Sequence, residues 1–297
     1  TAPRGAAAVK VMCHDIEDPT FDATAMATNS LARVRPIHRP PRASTDQTPV
    51  CRWRVFIEEG GTPLQETAVT VRMRDTNLAR LPITRGENGE PGGLEDYSGP
   101  LFEQMHLEVF SHSALAAICR ELAIQNHLLI NSLWWAINDR FGEEAADAVS
   151  AFQMEGATWM MSERLVKWLD CEGQGLDAVE KVLAVHPAFQ PGDYAGISIE
   201  RSSDGIVLSL PASPAFTEAH PAGWYRVLLQ GDGSGLEGLV RGVDRRARVE
   251  KQGEGWLVTL DRAAEPVEDP LSVQIARGSV LYRTQLEDHI QLLDLSG

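Results

Sequence analysis

The longest regular pattern of apolar and polar positions in this sequence runs from Ser113 to about Cys171. Ser113 has the side chain of a helix N-cap, and the residues after it reach Phe141 without a glycine or a proline. Gly142 interrupts the pattern, and the two acidic residues that follow favour the start of a second helix. The pattern therefore predicts two long antiparallel helices joined by a tight turn, an αα-hairpin.

The first of these helices, over residues 115–141, is apolar on nearly every side of a helical wheel. A helix with so little polar surface is typical of a central, buried position. One apolar face consists of Ile118, Leu122, Gln125, Leu129, Ser132 and Ala136. The polar side chains are then the informative ones, and the candidates for a site are Arg120, Glu121, Gln125, His127 and Asn131.

The second helix carries one carboxylate, Glu155, among methionine and tryptophan side chains. A pocket between the two helices could collect Glu155 with Glu121, Gln125 or His127 of the first helix. Glu155 or Glu121 would be the catalytic base, because apolar surroundings raise the pKa of a carboxylate towards neutral pH. His127 is the rival base.

The same pocket would bind its substrate through polar and aromatic side chains. Gln125 and Asn131 would orient the substrate, and Arg120 would hold a carboxylate group. Trp135 and Trp159 would form apolar walls. The alternative interpretation is structural, since buried Gln, His and Asn side chains also fix helix register and a Met–Trp wall is also ordinary core.

The first hundred residues have a weaker pattern than the hairpin. Residues 1–50 end in closely spaced prolines, which block helix and central strand alike, and they indicate an extended arm. Residues 51–59 and 66–75 alternate in polarity and predict the two strands of a β-hairpin. Residues 84–100 are typical of a surface loop or linker.

The last third of the sequence changes from a helical to an alternating pattern at about Tyr194, after a third helix over Leu176–Val185. Residues 196–211 and 246–260 each predict a β-hairpin, with two short helices between them and an amphipathic stretch at 279–293. The whole pattern predicts an α+β protein with an antiparallel αα-hairpin core. Its expected regions are an extended Pro/Arg-rich arm with a β-hairpin and linker, the helical hairpin, and an antiparallel α+β domain, at 1–100, 101–190 and 191–297.

Charge and composition restrict the partners of the chain. A formal net charge of −15 argues against nucleic acid, and no apolar run reaches the ~20 residues of a membrane span. The arginines concentrate between Arg33 and Arg85, which indicates a basic arm that docks on an acidic body or binds an anionic ligand. The four cysteines form no CxxC and no signal peptide opens the sequence, so we expect a cytoplasmic protein.

Metal and cofactor chemistry has little support in the sequence. Neither long helix has the ExxH pairs of a di-iron bundle. His106, Glu108 and His112 could form a mononuclear site, but they straddle the predicted start of the first helix. Residues 13–18 contain several ligand types, and consecutive side chains cannot all turn towards one ion. Residues 231–238 look like a phosphate loop but follow a helix rather than a strand, so no particular cofactor is predicted.

Part of the hairpin pattern also points to a known family. A long helix bearing Trp134 and Trp135 is followed by Phe141-Gly142-Glu143, an aromatic–acidic patch at 153–159, and Arg164-Leu165. Over about residues 107–190 this pattern resembles the helical family of L-2-amino-thiazoline-4-carboxylic acid hydrolase and its uncharacterised bacterial relatives. The named enzyme opens a small sulfur heterocycle, so the resemblance implies hydrolysis of a small molecule. The N-terminal arm and the α+β tail lie outside the match.

Two hypotheses for function follow from the sequence. The first is a cytosolic enzyme or enzyme subunit, hydrolase- or lyase-like, that binds a small organic molecule beside the central helical hairpin. The second is a non-catalytic assembly or accessory subunit whose N-terminal arm wraps a partner protein. A homo-oligomer is compatible with both hypotheses.

Overall fold

The structure is a computed structural model that describes residues 10–41, 44, 46–83, 92–96 and 106–277. Most of the predicted linker and the amphipathic stretch at 279–293 lie outside these residues. The chain divides into two compact units between Val71 and Arg72. Each unit combines helices with a small antiparallel sheet, which confirms the predicted α+β class.

The first unit contains a two-stranded antiparallel sheet packed beside one helix. Its elements, in chain order, are a π-helical turn at Val11–Ile16, α1 at Glu17–Met26, β1 at Ala32–His38 and β2 at Arg52–Ile57. The ring of Phe21 on α1 meets the ring of Trp53 on β2 edge to face, with centroids 4.6 Å apart. A two-stranded sheet is only marginally stable by itself, and this aromatic contact helps to stabilise it.

Two predictions for the N-terminal region are wrong. The partner of β2 is β1, from the stretch predicted as an irregular arm, and not residues 66–75. Pro36 is accommodated because both strands of a two-stranded sheet are edge strands, and the register shifts between Pro36 and His38. Residues Ala68–Arg74 form a short helix, α2, instead of a strand. A segment of this length is too short for alternation alone to distinguish strand from helix.

The second unit contains the predicted helical hairpin. α3 (His112–Phe141) and α4 (Glu143–Trp168) pack against each other and are joined at Gly142. Gly142 has a φ of 90°, which residues with a side chain rarely adopt, so glycine suits this junction. Neither helix, nor any other among the described residues, combines the length and apolar character needed to cross a lipid bilayer.

The ends of the two long helices differ from prediction by two or three residues. The N-cap of α3 is Ser111, whose Oγ accepts a hydrogen bond from the backbone N–H of Ala114 at 3.1 Å. The predicted cap, Ser113, therefore lies in the first turn of the helix and is buried there. α4 ends at Trp168 rather than at Cys171. Both serines match the sequence preference of an N-cap, so the sequence alone could not choose between them.

The predicted third helix, the two hairpins and the two short helices between them are confirmed, and two further short helices occur at Gly192–Ala195 and Leu271–Arg277. In chain order they are α5 (Leu176–Val185), α6 (Gly192–Ala195), β3 (Ser198–Arg201), β4 (Ile206–Ser209), α7 (Gly223–Leu229), α8 (Ser234–Arg241), β5 (Ala247–Gln252), β6 (Gly255–Leu260) and α9 (Leu271–Arg277). The four strands form one antiparallel sheet in the order β3-β4-β6-β5. Short 3₁₀ helices occur at Leu78–Arg80, Leu107–Val109 and Pro187–Phe189.

The central helix of the second unit is α4 rather than α3. α4 contacts α3, α7, α8 and α9, and it buries Met154, Thr158 and Trp159. The sequence predicted that α3 is buried on nearly every side, and the structure shows that it is not. Leu122, Leu129 and Leu133 are 58%, 69% and 39% exposed. One side of α3 therefore presents apolar side chains that no described residue covers.

Candidate functional site

A cleft of about 460 Å³ opens beside the helical hairpin, with α3 on one side and α4 on the other. The segment that follows α5 and one residue of α7 complete the lining. The lining residues are Cys119, Leu122, Ala123, Asn126, Ala157, Met161, Val185, His186, Pro187, Ala188, Gln190 and Trp224. A partly enclosed site with mostly apolar walls and a few polar groups is the usual form of a small-molecule site.

The cleft exists because side chains at the hairpin contact are short and the chain turns next to them. Ala123 of α3 and Ala157 of α4 contribute only methyl groups to the walls. α5 ends at Val185 because the residue that precedes Pro187 is disfavoured in helical conformation. The 3₁₀ turn that begins at Pro187 then brings Ala188 into the lining.

His186 is the imidazole in the cleft wall, and both of its ring nitrogens already form hydrogen bonds with backbone groups. Its Nδ1 accepts a hydrogen bond from the backbone N–H of Ala188 at 3.0 Å, so its Nε2–H donates to the carbonyl oxygen of Thr158 at 3.3 Å. Burial lowers the pKa of His186 to about 4, and the Thr158 carbonyl only partly opposes this effect. His186 is therefore neutral at pH 7, with no free nitrogen to offer a substrate.

Two other polar groups of the cleft have no hydrogen-bond partner among the described residues. Trp224 is 6% exposed, and its buried indole Nε1–H has no acceptor there. The side-chain amide of Asn126 is likewise unpaired within that part of the chain. An indole donates only, whereas an amide donates and accepts. The half-buried Asn126 amide could hold a carbonyl or hydroxyl group of a molecule whose remainder is apolar, whereas the buried N–H of Trp224 is not accessible from the cleft.

His127, predicted as a catalytic base, is buried next to the cleft but does not line it. Its ring packs against Tyr194, Trp224 and Tyr225, with centroids 6.3, 5.9 and 5.0 Å away. Burial lowers the pKa of His127 to about 4, which the nearby backbone carbonyls of the 187–190 segment do not offset. At 1% exposure the imidazole can support Trp224, but it is not accessible to a substrate.

Three other predicted residues lie on the outside of α3. The amide of Gln125 donates to the carboxylate of Glu121 at 2.9 Å, and both side chains are exposed. Arg120 forms a bidentate ion pair with Asp193 at 2.7 and 2.8 Å and also donates to the carbonyl oxygen of Pro82 at 2.9 Å. The ion pair with Asp193 raises the pKa of Arg120. Arg120 thus connects α3 to α6 and has little capacity left for a ligand.

The two predicted residues of α4 point away from the cleft. The carboxylate of Glu155 accepts a hydrogen bond from the hydroxyl of Ser272 on α9 at 2.6 Å. Trp159 is 1% exposed, and its indole N–H donates to Glu163 at 3.0 Å. The structure therefore does not bring Glu155 together with Glu121, Gln125 or the imidazole of α3.

Asn131 and Trp135, the last two predicted substrate contacts, lie on the inner side of α3. Asn131 is buried, and its amide donates to the phenol oxygen of Tyr194, which opposes the burial-driven rise in the pKa of Tyr194. Trp135 is 2% exposed, and the guanidinium of Arg72 lies 5.3 Å from its ring centroid. Trp135 borders a second depression, of about 400 Å³.

The second depression holds two arginines whose charges are already paired. Arg72 pairs with Asp139 at 3.2 Å. Arg226 forms a bidentate pair with Asp147 at 2.7 and 3.1 Å and also pairs with Glu143. These carboxylates neutralise the charges of both arginines, so the depression offers no unpaired arginine to an anionic ligand.

Metal coordination has no geometric support in the described part of the chain. No group of three or more His, Cys, Asp or Glu side chains there could hold an ion. His106 and Glu108 lie 3.3 Å apart as an exposed pair. In the 13–18 segment, His14 contacts the carbonyl oxygen of Pro40 at 3.2 Å, and Asp18 pairs with Arg39.

The cleft lies beside the helical hairpin, but its lining residues are not those predicted for a pocket there. Asn126 lies on the apolar side of α3, where a helical wheel could have identified it. Trp224 lies almost a hundred residues further along the chain, and no local pattern connects it to the hairpin.

Comparison with known proteins gives no further guidance. No protein-family model matches the sequence, and neither the curated proteins nor the solved structures yield a match. The site must therefore be interpreted from its own chemistry.

Proposed function

We propose that this protein binds a small, largely apolar organic molecule in the cleft between α3 and α4. The observation that carries this proposal is the uncharged, mostly apolar lining of the cleft, in which the half-buried side-chain amide of Asn126 has no hydrogen-bond partner among the described residues. An oxygen atom of a bound ligand could accept a hydrogen bond from the Asn126 amide, while the apolar walls would bury the rest of the ligand.

The lining also restricts the class of ligand. It contains no Asp, Glu, Lys or Arg, and its imidazole is neutral at pH 7. A net charge of −15 on the chain disfavours anions as well. The ligand is therefore an uncharged molecule with an aromatic, alicyclic or short acyl body that carries a carbonyl or hydroxyl group.

Binding has more support than the hydrolase- or lyase-like chemistry expected from the sequence. Glu121, His127 and Glu155 do not converge, and His186 is occupied by two backbone groups. Cys119 is the remaining titratable side chain of the lining, and no accessible base accompanies it among the described lining residues. The resemblance to the thiazoline carboxylic acid hydrolase family stays a hypothesis.

A specific observation also favours the second hypothesis, an assembly subunit. In the first unit Ile37, Val55 and Ile57 are 57%, 69% and 56% exposed on the strands β1 and β2. Apolar side chains exposed on neighbouring strands are typical of a surface that binds another protein. The partner would then be recognised by a small folded unit, and not by the extended arm that the sequence suggested.

The cleft can be tested with an uncharged fluorescent probe, N-phenyl-1-naphthylamine, titrated into the full-length protein. We expect saturable binding, and we expect Ala157→Phe to weaken it by about tenfold or more because the added ring occupies the cleft. Ala157 is exposed, so the larger side chain need not disturb the core. Ala148→Phe, at an exposed position of α4 outside the cleft, is the matched control. Equal binding by both variants would contradict the proposal.

A further inference from the structure

The exposed side of α3 is unusually free of charge. From residue 122 to residue 138, α3 contains no Asp, Glu, Lys or Arg, which corresponds to roughly 25 Å of helix. Leu122, Leu129, Leu133 and Ala136 follow one another along this side at intervals of seven, four and three residues. We call these four exposed residues the α3 stripe. Apolar side chains at this spacing are typical of a helix that packs against a partner helix.

Two exposed charges of opposite sign lie at the two ends of the α3 stripe. Glu121 precedes it, and its carboxylate accepts a hydrogen bond from the uncharged Gln125. Arg140 follows it, with its guanidinium 5.4 Å from the ring centroid of Phe141. Neither side chain has an oppositely charged partner among the described residues. The neighbouring Arg120 and Asp139 pair with Asp193 and Arg72, so Glu121 at one end of the uncharged middle and Arg140 at the other are the charges that remain for a partner.

We infer that the α3 stripe is the interface of a homodimer, in which α3 packs antiparallel to α3 of a second copy. The midpoint between Glu121 and Arg140 falls between residues 130 and 131, and Leu129 and Leu133 are centred on residue 131. A two-fold axis at that level brings Leu129 of one copy to Leu133 of the other. The same axis places Arg140 of each copy beside Glu121 of its partner, at both ends of the contact.

The distribution of charge favours a second copy of this chain as the partner that covers the α3 stripe. Two chains of net charge −15 repel each other over most of their surfaces. The middle of the α3 stripe carries no charge, and antiparallel packing turns both of its ends into attractive contacts. The dimer interface and the cleft share Leu122 at their common edge. Leu129, Arg140 and Glu121 do not line the cleft, so variants at these positions test the dimer separately from ligand binding.

Sedimentation velocity of the full chain tests this inference. We expect a dimer of about 65 kDa, twice the chain mass of 32.5 kDa. Leu129→Glu places two charges in the apolar contact and should raise the dissociation constant on the order of a hundredfold or more. Leu229→Glu is the matched control, because Leu229 is also an exposed leucine but lies on α7, outside the α3 stripe and the cleft lining, and it should leave the dissociation constant unchanged.

Variants that reverse the charges of Glu121 and Arg140 test the antiparallel arrangement of the two α3 helices. Glu121→Arg alone or Arg140→Glu alone creates two like-charge contacts and should weaken the dimer on the order of tenfold. The double variant restores opposite charges at both ends and should return the dissociation constant to near that of the wild type. A monomeric wild-type chain, a dimer that tolerates Leu129→Glu, equal weakening by Leu229→Glu, or a double variant weaker than either single one would each overturn the inference.

Discussion

His127 and His186 are both 1% exposed, and burial lowers the pKa of each to about 4. In the unfolded chain an imidazole has a pKa of about 6.5. Below pH 6.5 the unfolded chain therefore binds protons that the folded chain does not bind. The free energy of unfolding must fall as the pH drops from about 6.5 towards 4, and these two residues contribute to that fall.

His127→Phe should reduce this pH dependence. Between pH 7.5 and 4.5 a single imidazole with this pKa shift lowers the free energy of unfolding by about 2–3 kcal/mol, and the variant should lack that contribution. An aromatic ring also suits the site, because Nε2 of His127 has no hydrogen-bond partner among the described residues. Urea unfolding at the two pH values measures the difference. The same pH dependence in variant and wild type would show that His127 is not buried in its neutral form.

Single residues also show what a sequence can and cannot reveal about a site. Of the polar residues that the helical pattern selected, Asn131 and His127 are buried in the structure. The pattern also selected Gln125, which lies on a side of α3 that is equally apolar in sequence but exposed in the structure. A helical wheel defines faces, but only the packing of α4 and α7 determines which face of α3 is buried.

Among the elements, α8 shows why a glycine-rich segment that looks like a phosphate loop has a structural role. A Cβ atom on Gly238 would lie 2.4 Å from the carbonyl oxygen of Glu155. A Cβ atom on Gly242, just after α8, would lie 2.4 Å from the carbonyl oxygen of Trp159. Both glycines therefore allow α8 and its C-terminal end to lie directly against the backbone of α4. The sequence shows the glycines but not the helix that approaches them.

Gly238→Ala should lower the free energy of unfolding by about 1–3 kcal/mol, because the neighbouring atom is backbone and cannot move aside easily. Gly192→Ala is the control within a helix. The nearest heavy atom to a Cβ at Gly192 would be 4.0 Å away, so this change should be neutral or stabilise the fold by up to about 1 kcal/mol. Urea unfolding of both variants tests the pair. Equal effects would contradict close packing of α8 on α4.

Local signals account for the elements that were predicted well. Gly142 marks the junction between α3 and α4, and the Asp-Gly and Gly-Glu-Gly turns mark the two C-terminal hairpins. The first unit was predicted poorly because β1 contains Pro36 and pairs with a strand some fifteen residues away. No short-range turn signal connects β1 with β2, so the sequence offered residues 66–75 as the nearer partner.

At the scale of the whole molecule, the second unit places the cleft and the α3 stripe beside each other on the helical hairpin. α4 is covered by α7, α8 and α9, whereas α3 keeps one side outside the core. A hairpin with one covered helix and one partly exposed helix can present binding surfaces without loss of its core. The proposals for a ligand and for a second copy both use this asymmetry, through different residues.

The most direct test of the central claim, ligand binding in the cleft, is native mass spectrometry of the protein purified from its own host. We expect each 32.5 kDa chain to carry an additional small mass under native conditions and to lose it on denaturation. Ala157→Phe should lack this mass, and Ala148→Phe should retain it. A native chain with only its polypeptide mass, or the same extra mass on Ala157→Phe, would contradict the ligand site. A second protein bound to a ligand-free chain would favour the assembly subunit instead.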